Sequence, residues 1–367
     1  MRPPVARSAL RHWRQDSPSR SPMTSLTFRR DVLALDVGGA NIKAADGTGW
    51  TYAEPFAMWR DAPRLTEALA RIIRDASPRR IVATMTGEIA DCFAGRAEGV
   101  AHIVGALAAA AEACGCGSPG IYHVDGQIVE PTDAVANPRG VAASNWHAVA
   151  RLAVSFVPGA RALLVDIGST TCDIVPLAGG RPTPLANDDA GRMATGELVY
   201  TGVERTPVPA IVRGLPHRGV RRPVASERFA ESRDAWLLLG GLTEDPASTD
   251  TADGGPFTRD ASRIRLARAM LVEPSAVTAA DAERAAAWIA EAQARQLARA
   301  VDRVVRQCGG RPEAVVYSGH GERLARMALD RLGWSVAAVS LPAIVGAAVS
   351  RSAPAHALAL IARGELS

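Results

Sequence analysis

The sequence predicts an α/β protein of two related halves, each built on a mixed sheet, with a cleft between them. Three observations carry this. A strand–acidic turn–strand block occurs twice, short apolar runs alternate with amphipathic stretches, and 367 residues are enough for two domains of about 100–200 residues each.

The repeated block comes first. Residues 32–45 read VLALDVGGANIKAA, and residues 162–178 read ALLVDIGSTTCDIVPLA. Each opens with an apolar run of buried-strand type, reaches an Asp, turns on glycine and enters a second apolar stretch. Asp36 and Asp166 stand at equivalent points.

Between the blocks, Leu65–Arg74 has helical amphipathicity and Arg80–Thr84 reads as a strand. Val100–Cys114 is an Ala-rich helix stopped by Gly115. Ile121–Val124 and Gln127–Val129 form a hairpin about Asp125-Gly126. The longest helix covers Thr278–Cys308, with Thr278 and Asp281 set as a capping box and Gly309-Gly310 ending it. Its expected apolar face holds Trp288, Ile289, Ala292, Leu297, Val301, Val304, Val305 and Cys308. Strand Ala314–Tyr317, a glycine turn, helix Glu322–Leu332 and strand Trp334–Val339 follow. The Pro- and Gly-containing stretch at Val157-Pro158-Gly159 divides a first domain, 31–158, from a second, 159–367.

The whole chain carries +4, but residues 1–30 hold seven Arg against one Asp, which leaves −2 for residues 31–367. The basicity therefore sits in the extension, and the body supports neither nucleic acid nor membrane as a partner. The extension reads as a disordered tail, as sequence ahead of a true start at Met23, or as a targeting segment. It lacks the apolar core of a secretory signal. No apolar run reaches the roughly 18–20 residues of a membrane span. Five cysteines, an odd count, imply no disulfide framework and fit a reducing cytoplasm. Cys114-Gly-Cys116 lacks a second pair and reads as turn residues rather than a metal site. His102, His123, His147 and His217 have no ligand spacing and read as structural or surface residues.

Three motifs carry chemistry. Asp36-Val37-Gly38-Gly39-Ala40-Asn41-Ile42-Lys43 offers backbone N–H groups of Gly38, Gly39 and Asn41 to an anion, and a strand-end carboxylate to hydrated Mg²⁺. The acid precedes the turn and G-x-G-x-x-G spacing fails, so this is not a dinucleotide motif. Lys43 is the only lysine in the chain; the other 41 Lys/Arg positions are arginine. A compact point charge suits a phosphate better there than a planar fork. In the second motif, Gly168, Ser169, Thr170 and Thr171 follow Asp166, and Asp173 lies seven residues on. Hydroxyls and N–H groups suit phosphate oxygens; the carboxylates suit metal or proton transfer. The third is Tyr317-Ser318-Gly319-His320-Gly321-Glu322, a strand–turn–helix with His320 between two glycines.

These blocks, in this order, resemble the actin-like ATPase and sugar-kinase superfamily. In that superfamily the third turn contacts a nucleoside; His320 interrupts it here. Further segments resemble a narrower group: Thr84–Glu88 with Asp91-Cys92-Phe93, Ala143–Trp146, Gly196–Gly202 with Arg205-Thr206-Pro207, and Thr251–Gly254. That group is the hydantoinase/oxoprolinase-related proteins of tetrahydromethanopterin-linked one-carbon metabolism, the methanofuran synthase family. The resemblance covers about Asp31 to Val349.

The resemblance implies a cytoplasmic transferase. It would join the phenol of γ-glutamyltyramine to an aminomethyl-furanmethyl diphosphate, releasing diphosphate. Its partners would be those small molecules; a homo-oligomer is left open. Mg²⁺ between Asp36 and Asp166, with Lys43 and the turn amides, would hold the leaving group. A phenol has a pKa of about 10 and needs a base; Glu88, Asp173 and Asp189 are the candidates, and the sequence does not choose among them. Asn145 and Trp146 could position an aromatic ring, although Trp146 equally suits core packing. Arg205 is a candidate anchor for the glutamyl carboxylates, and Gly319, His320 and Gly321 for substrate. The alternatives are an ATP-dependent kinase or cyclic-amide hydrolase of the same superfamily, and a non-catalytic actin-like scaffold. The acids in both turns count against the scaffold.

Overall fold

In a computed structural model, the structure describes residues 30–366. Nearly all of the arginine-rich extension lies outside the described residues. The first sheet contains β1 (Arg30–Val37), β2 (Asn41–Ala45), β3 (Thr51–Pro55), β4 (Pro78–Met85), β5 (Gly120–Tyr122) and β6 (Ile128–Val129), in the order β3-β2-β1-β4-β5-β6. The second contains β7 (Ala162–Ile167), β8 (Cys172–Ala178), β9 (Arg181–Pro182) and β10 (Leu198–Val199). It is completed, after a small antiparallel hairpin of β11 (Gly214–His217) and β12 (Val220–Pro223), by β13 (Ala314–Gly319) and β14 (Ala337–Ser340). Its order is β10-β8-β7-β13-β14.

The two orders are the same pattern. In each sheet the first strand pairs antiparallel with the second, and parallel with a strand that arrives after a helical crossover. This duplicated mixed sheet is the actin-like, sugar-kinase arrangement that the motifs predict.

Packing follows strand parity, because alternate side chains leave opposite faces of a sheet. Leu33, Leu35 and Val37 pack with helices Leu65–Ala76 and Arg96–Ala113 on the outer face of the first sheet. Val32 and Ala34 point the other way. They share a core with Ala162 and Leu164 of β7 and with helices Asn145–Phe156 and Ala353–Ala362. These two helices lie between the sheets. Ala353–Ala362 packs on Asn145–Phe156 and on β1, β4 and β2, so the end of the chain returns to the first sheet. Arg80 of β4 donates to the Ala362 carbonyl across that seam at 3.1 Å.

Ala279–Gln307 is the longest helix, and both halves of its capping box are made: Thr278 Oγ1 accepts from the Asp281 N–H, and Asp281 accepts from the Thr278 N–H. Its buried stripe runs through Ile289, Gln293, Leu297, Val301 and Val304. Trp288 is not on it. Successive helix positions are about 100° apart, so Ile289 and Trp288 cannot share a narrow stripe. Ile289 is buried, while Trp288 is 38% exposed beneath the Arg221 guanidinium. The expected strand at Trp334–Val339 begins later, at Ala337, because its partner β13 starts only at Ala314, directly opposite Ala337. Cys114 and Cys116 sit in the turn after helix Arg96–Ala113. Among the described residues no helix is long and apolar enough to cross a membrane.

Candidate active site

Parity also places the candidate acids. Asp36 continues the series Val32, Ala34, and Asp166 continues Ala162, Leu164, so both face the space between the sheets. Lys43 lies directly opposite Asp36 across the β1–β2 ladder, and Asp173 lies directly opposite Asp166 across β7–β8. Opposed residues of an antiparallel pair project from the same face. Two acids, one lysine and a third acid therefore gather at the upper edge of the inter-sheet core.

The glycine turns close the two hairpins in the same way. Gly38 N donates to the Asn41 carbonyl, and Gly168 N to the Thr171 carbonyl, each at 3.0 Å. Residues 202–205 lie over the second turn: Glu204 and Arg205 both donate backbone N–H to the Ser169 carbonyl, at 3.0 and 2.9 Å. A Cβ on Gly202 would come within 2.3 Å of that carbonyl oxygen, so glycine is required there. In the third turn the N–H groups of His320 and Gly321 both donate to the Ile167 carbonyl at 3.1 Å. Gly319 has φ of +76°, and a Cβ on it would lie 2.2 Å from the same oxygen.

These turns border one cavity of about 350 Å³. Asp36, Gly38, Gly39, Asn41 and Lys43 line it from the first half; Asp166, Gly168, Ser169, Thr170, Thr171 and Asp173 line it from the second. Glu88, Asn145, Trp146, Asp189, Arg205, Gly319 and His320 line it as well. Gly321 does not: it sits behind His320, where a Cβ would overlap Ile167. Thr251–Gly254 lies apart from the cavity, with Asp253 tied to Arg265 and Arg268 at 3.1 and 2.6 Å.

The three candidate bases differ in their partners. Asp173 is paired with Arg192 at 2.9 Å, and Asp189 with Arg96 at 2.8 Å. Burial raises the pKa of both, with Arg192 and Arg96 respectively pulling down. Glu88 is fully buried, and neither of its oxygens accepts a hydrogen bond; Arg96 Nε stands 3.7 Å away. Burial pushes the Glu88 carboxyl up to about 7. Asp166 is also raised to about 7, by burial first and by Asp173 next, with Asp36 adding to it. Burial raises Asp36 against the pull of Lys43, and its Oδ1 has no hydrogen-bond partner. Among the described residues no group of three or more His, Cys, Asp or Glu side chains is gathered to hold a metal.

Several residues of the site carry no local sequence signal. Arg192 is buried, holds Asp173, and stacks on Trp146 with its guanidinium 4.0 Å from the ring centroid. Trp146 is both core and site: it is 2% exposed, lines the cavity, and has no acceptor for its indole N–H. Glu204 gathers the cations of the other wall. Its Oε1 takes Arg351 at 2.7 Å and meets His320 Nε2 at 3.1 Å. Burial works to raise Glu204, but His320, Arg351 and Arg233 outweigh it and hold the carboxyl at about 2. Arg205 lies over Trp59 at 5.2 Å. Tyr200, half exposed, completes the rim.

Residues 79–213 match the family model described as hydantoinase/oxoprolinase. The chain is 29% identical over 338 residues to the (4-{4-[2-(gamma-L-glutamylamino)ethyl]phenoxymethyl}furan-2-yl)methanamine synthase of Methanocaldococcus jannaschii, covering 91% of this chain and 98% of that protein. It is 28% identical over 207 residues to the protein of the same name from Methanococcus vannielii, covering 56% of this chain and 92% of that one. Among solved structures, nucleotide-free acetone carboxylase superposes with a TM-score of 0.53 at 12% identity, covering 90% of this chain and 70% of that chain. The resemblance read from the motifs thus extends along most of the chain.

Proposed function

We propose that the cleft joins the phenol of γ-glutamyltyramine to an aminomethyl-furanmethyl diphosphate, forming an aryl ether and releasing diphosphate. The names of the two curated relatives support the product class. One observation carries the chemistry: a cavity that pairs two glycine turns and Lys43, suited to an anionic leaving group, with a buried Glu88 carboxyl that accepts no hydrogen bond and is pushed up to about 7.

Glu88 takes the phenolic proton as the oxygen attacks the furfuryl carbon. The bond from that carbon to diphosphate breaks, and its electron pair leaves with the diphosphate. A base whose pKa lies near the working pH suits this step. Asp173 and Asp189 are less suited, since arginines hold them at 2.9 and 2.8 Å, whereas Arg96 stands 3.7 Å from Glu88. Lys43 and the N–H groups of the turns at 38–41 and 168–171, other than those of Gly38 and Gly168 that already donate within the turns, stabilise the charge that develops on the leaving group. Trp146 and Asn145 form the wall for the aromatic ring.

Mg²⁺ fits this site. Asp36 Oδ1 is buried without a partner, and Asp166 faces the same space. Mg²⁺ is commonly held by one or two carboxylates together with its waters and substrate phosphates, so two aspartates suffice. Bound there it would neutralise diphosphate charge.

The ATP-dependent alternative needs an open third turn for a nucleoside. His320 fills that turn and is held against Glu204. The test is incubation of pure protein with Mg²⁺, the furan diphosphate and γ-glutamyltyramine, with and without ATP. Ether and diphosphate accumulating in equal amounts without ATP is the expected result. Product that forms only with ATP, alongside ADP, would overturn the reading.

A further inference from the structure

Beyond Leu198 and Tyr200 the cleft borders a second cavity of about 720 Å³; both residues line both spaces. One wall is the helix Ala279–Gln307, which contributes Arg295, Arg299 and Arg303. Residues four apart on a helix lie one above another, so the three arginines stand at helix positions spaced about 6 Å, in a row of about 12 Å. No Asp or Glu lines this cavity. Elsewhere on the same helix arginines are neutralised: Arg284 pairs with Asp281 at 2.6 Å and Arg306 with Asp302 at 2.7 Å. Arg295 has only Glu291 at 3.8 Å, and among the described residues neither Arg299 nor Arg303 forms an ion pair. Arg299 and Arg303 are thus uncompensated positive charge beside the cleft, with Arg295 weakly paired at the end of the row.

We infer that this groove binds a polyanionic tail on the phenolic substrate, a γ-glutamyl chain carrying two or more free carboxylates. The inference rests on the ether-forming reading above. A single γ-glutamyl group carries one carboxylate and one ammonium, so it has no net charge to set against the unpaired guanidiniums of Arg299 and Arg303. Each further γ-glutamyl unit adds a carboxylate and five chain bonds, about 6 Å when extended. That repeat matches the spacing of the arginine row. Planar guanidiniums suit carboxylates, and the exposed site makes the attraction sensitive to salt.

The experiment compares tyramine bearing one γ-glutamyl unit with tyramine bearing three. Calorimetric Kd and steady-state KM are measured for the wild type, for Arg299→Ala/Arg303→Ala and for Arg299→Lys/Arg303→Lys. The wild type is expected to bind the longer probe about tenfold more tightly at low salt. The alanine pair should lose that preference while its kcat on the short probe stays at the wild-type value, and the lysine pair should keep most of it. Equal Kd values for the two probes, or a preference that survives in the alanine pair, would sink the proposal. Arginine-dependent tight binding of the longer probe by a protein that makes no ether would uphold the groove and remove the ether-forming reading instead.

Discussion

Lys43 and Asp173 occupy the same position in the two halves of the molecule. Each sits directly across a hairpin from the acid that ends the first strand, Lys43 opposite Asp36 and Asp173 opposite Asp166. The duplication is therefore symmetric in backbone and asymmetric in charge. The first half presents an ammonium to the cleft; the second presents a carboxylate that is held by Arg192.

The lysine is the first test of that asymmetry. Lys43→Ala is expected to lower turnover about 100-fold or more. Its melting temperature should stay close to that of the wild type, because Lys43 is only half-buried. Lys43→Arg should recover little, since a planar fork does not replace a point charge in a tight turn. Rates of diphosphate release and thermal unfolding of the three proteins decide the matter; wild-type turnover in Lys43→Ala would show the lysine to be incidental.

Glu88 couples stability to pH. Its carboxyl titrates at about 7 in the folded protein, against 4.5 when unperturbed. The folded protein keeps a proton that the unfolded chain releases, so its stabilising contribution is full below about pH 4.5 and is lost as pH rises through about 7. Glu88→Gln should be no more stable than the wild type at pH 4 and about 3–6 °C more stable at pH 8. Its turnover should fall about 10²–10⁴-fold, with loss of the acid limb of the kcat/KM profile. Thermal melts across that range and a pH–rate series measure both effects.

Arg192 is expected to matter for stability more than its distance from the turns suggests. Arg192→Ala strands the largely buried Asp173 carboxylate and uncovers the face of Trp146. The expected loss is about 3–5 kcal/mol in urea unfolding. Adding Asp173→Asn removes the stranded charge and should restore a large part of that loss. Equal stability of the single and double variants would show that the pair is not what holds this wall.

Metal removal tests the acids. Chelation should abolish turnover, and Mg²⁺ should restore it. Asp36→Asn and Asp166→Asn are each expected to raise the Mg²⁺ concentration for half-maximal rate roughly 10–100-fold. Unchanged Mg²⁺ dependence in both variants would place the metal elsewhere.

The sequence made the strand-end acids and turns legible because their order along the chain is itself the signal: an apolar run fixes parity, parity fixes the face, and Asp36 and Asp166 fall on the inner one. Arg96, Arg192 and Arg351 were not legible. In a chain whose basic residues are almost all arginine, one arginine looks like another until a fold brings a carboxylate beside it. Glu204 was missed for a related reason: it neighbours the candidate anchor Arg205, but its partners His320 and Arg351 lie more than a hundred positions away. Trp288 was misplaced because spacings of three and four describe two overlapping stripes, and only packing selects between them.

The return of the last helix to the first sheet means that the halves are not separable pieces of chain. Residues 30–158 alone would leave the seam on β1, β2 and β4 unsealed, since Ala353–Ala362 arrives from the far side of the second half. The polypeptide passes between the halves twice, after Phe156 and near Ser352, and the second passage adjoins Ser350 and Arg351 at the cleft wall. Two strands of connection define a line. A cut at either connection would leave the halves joined through the other alone.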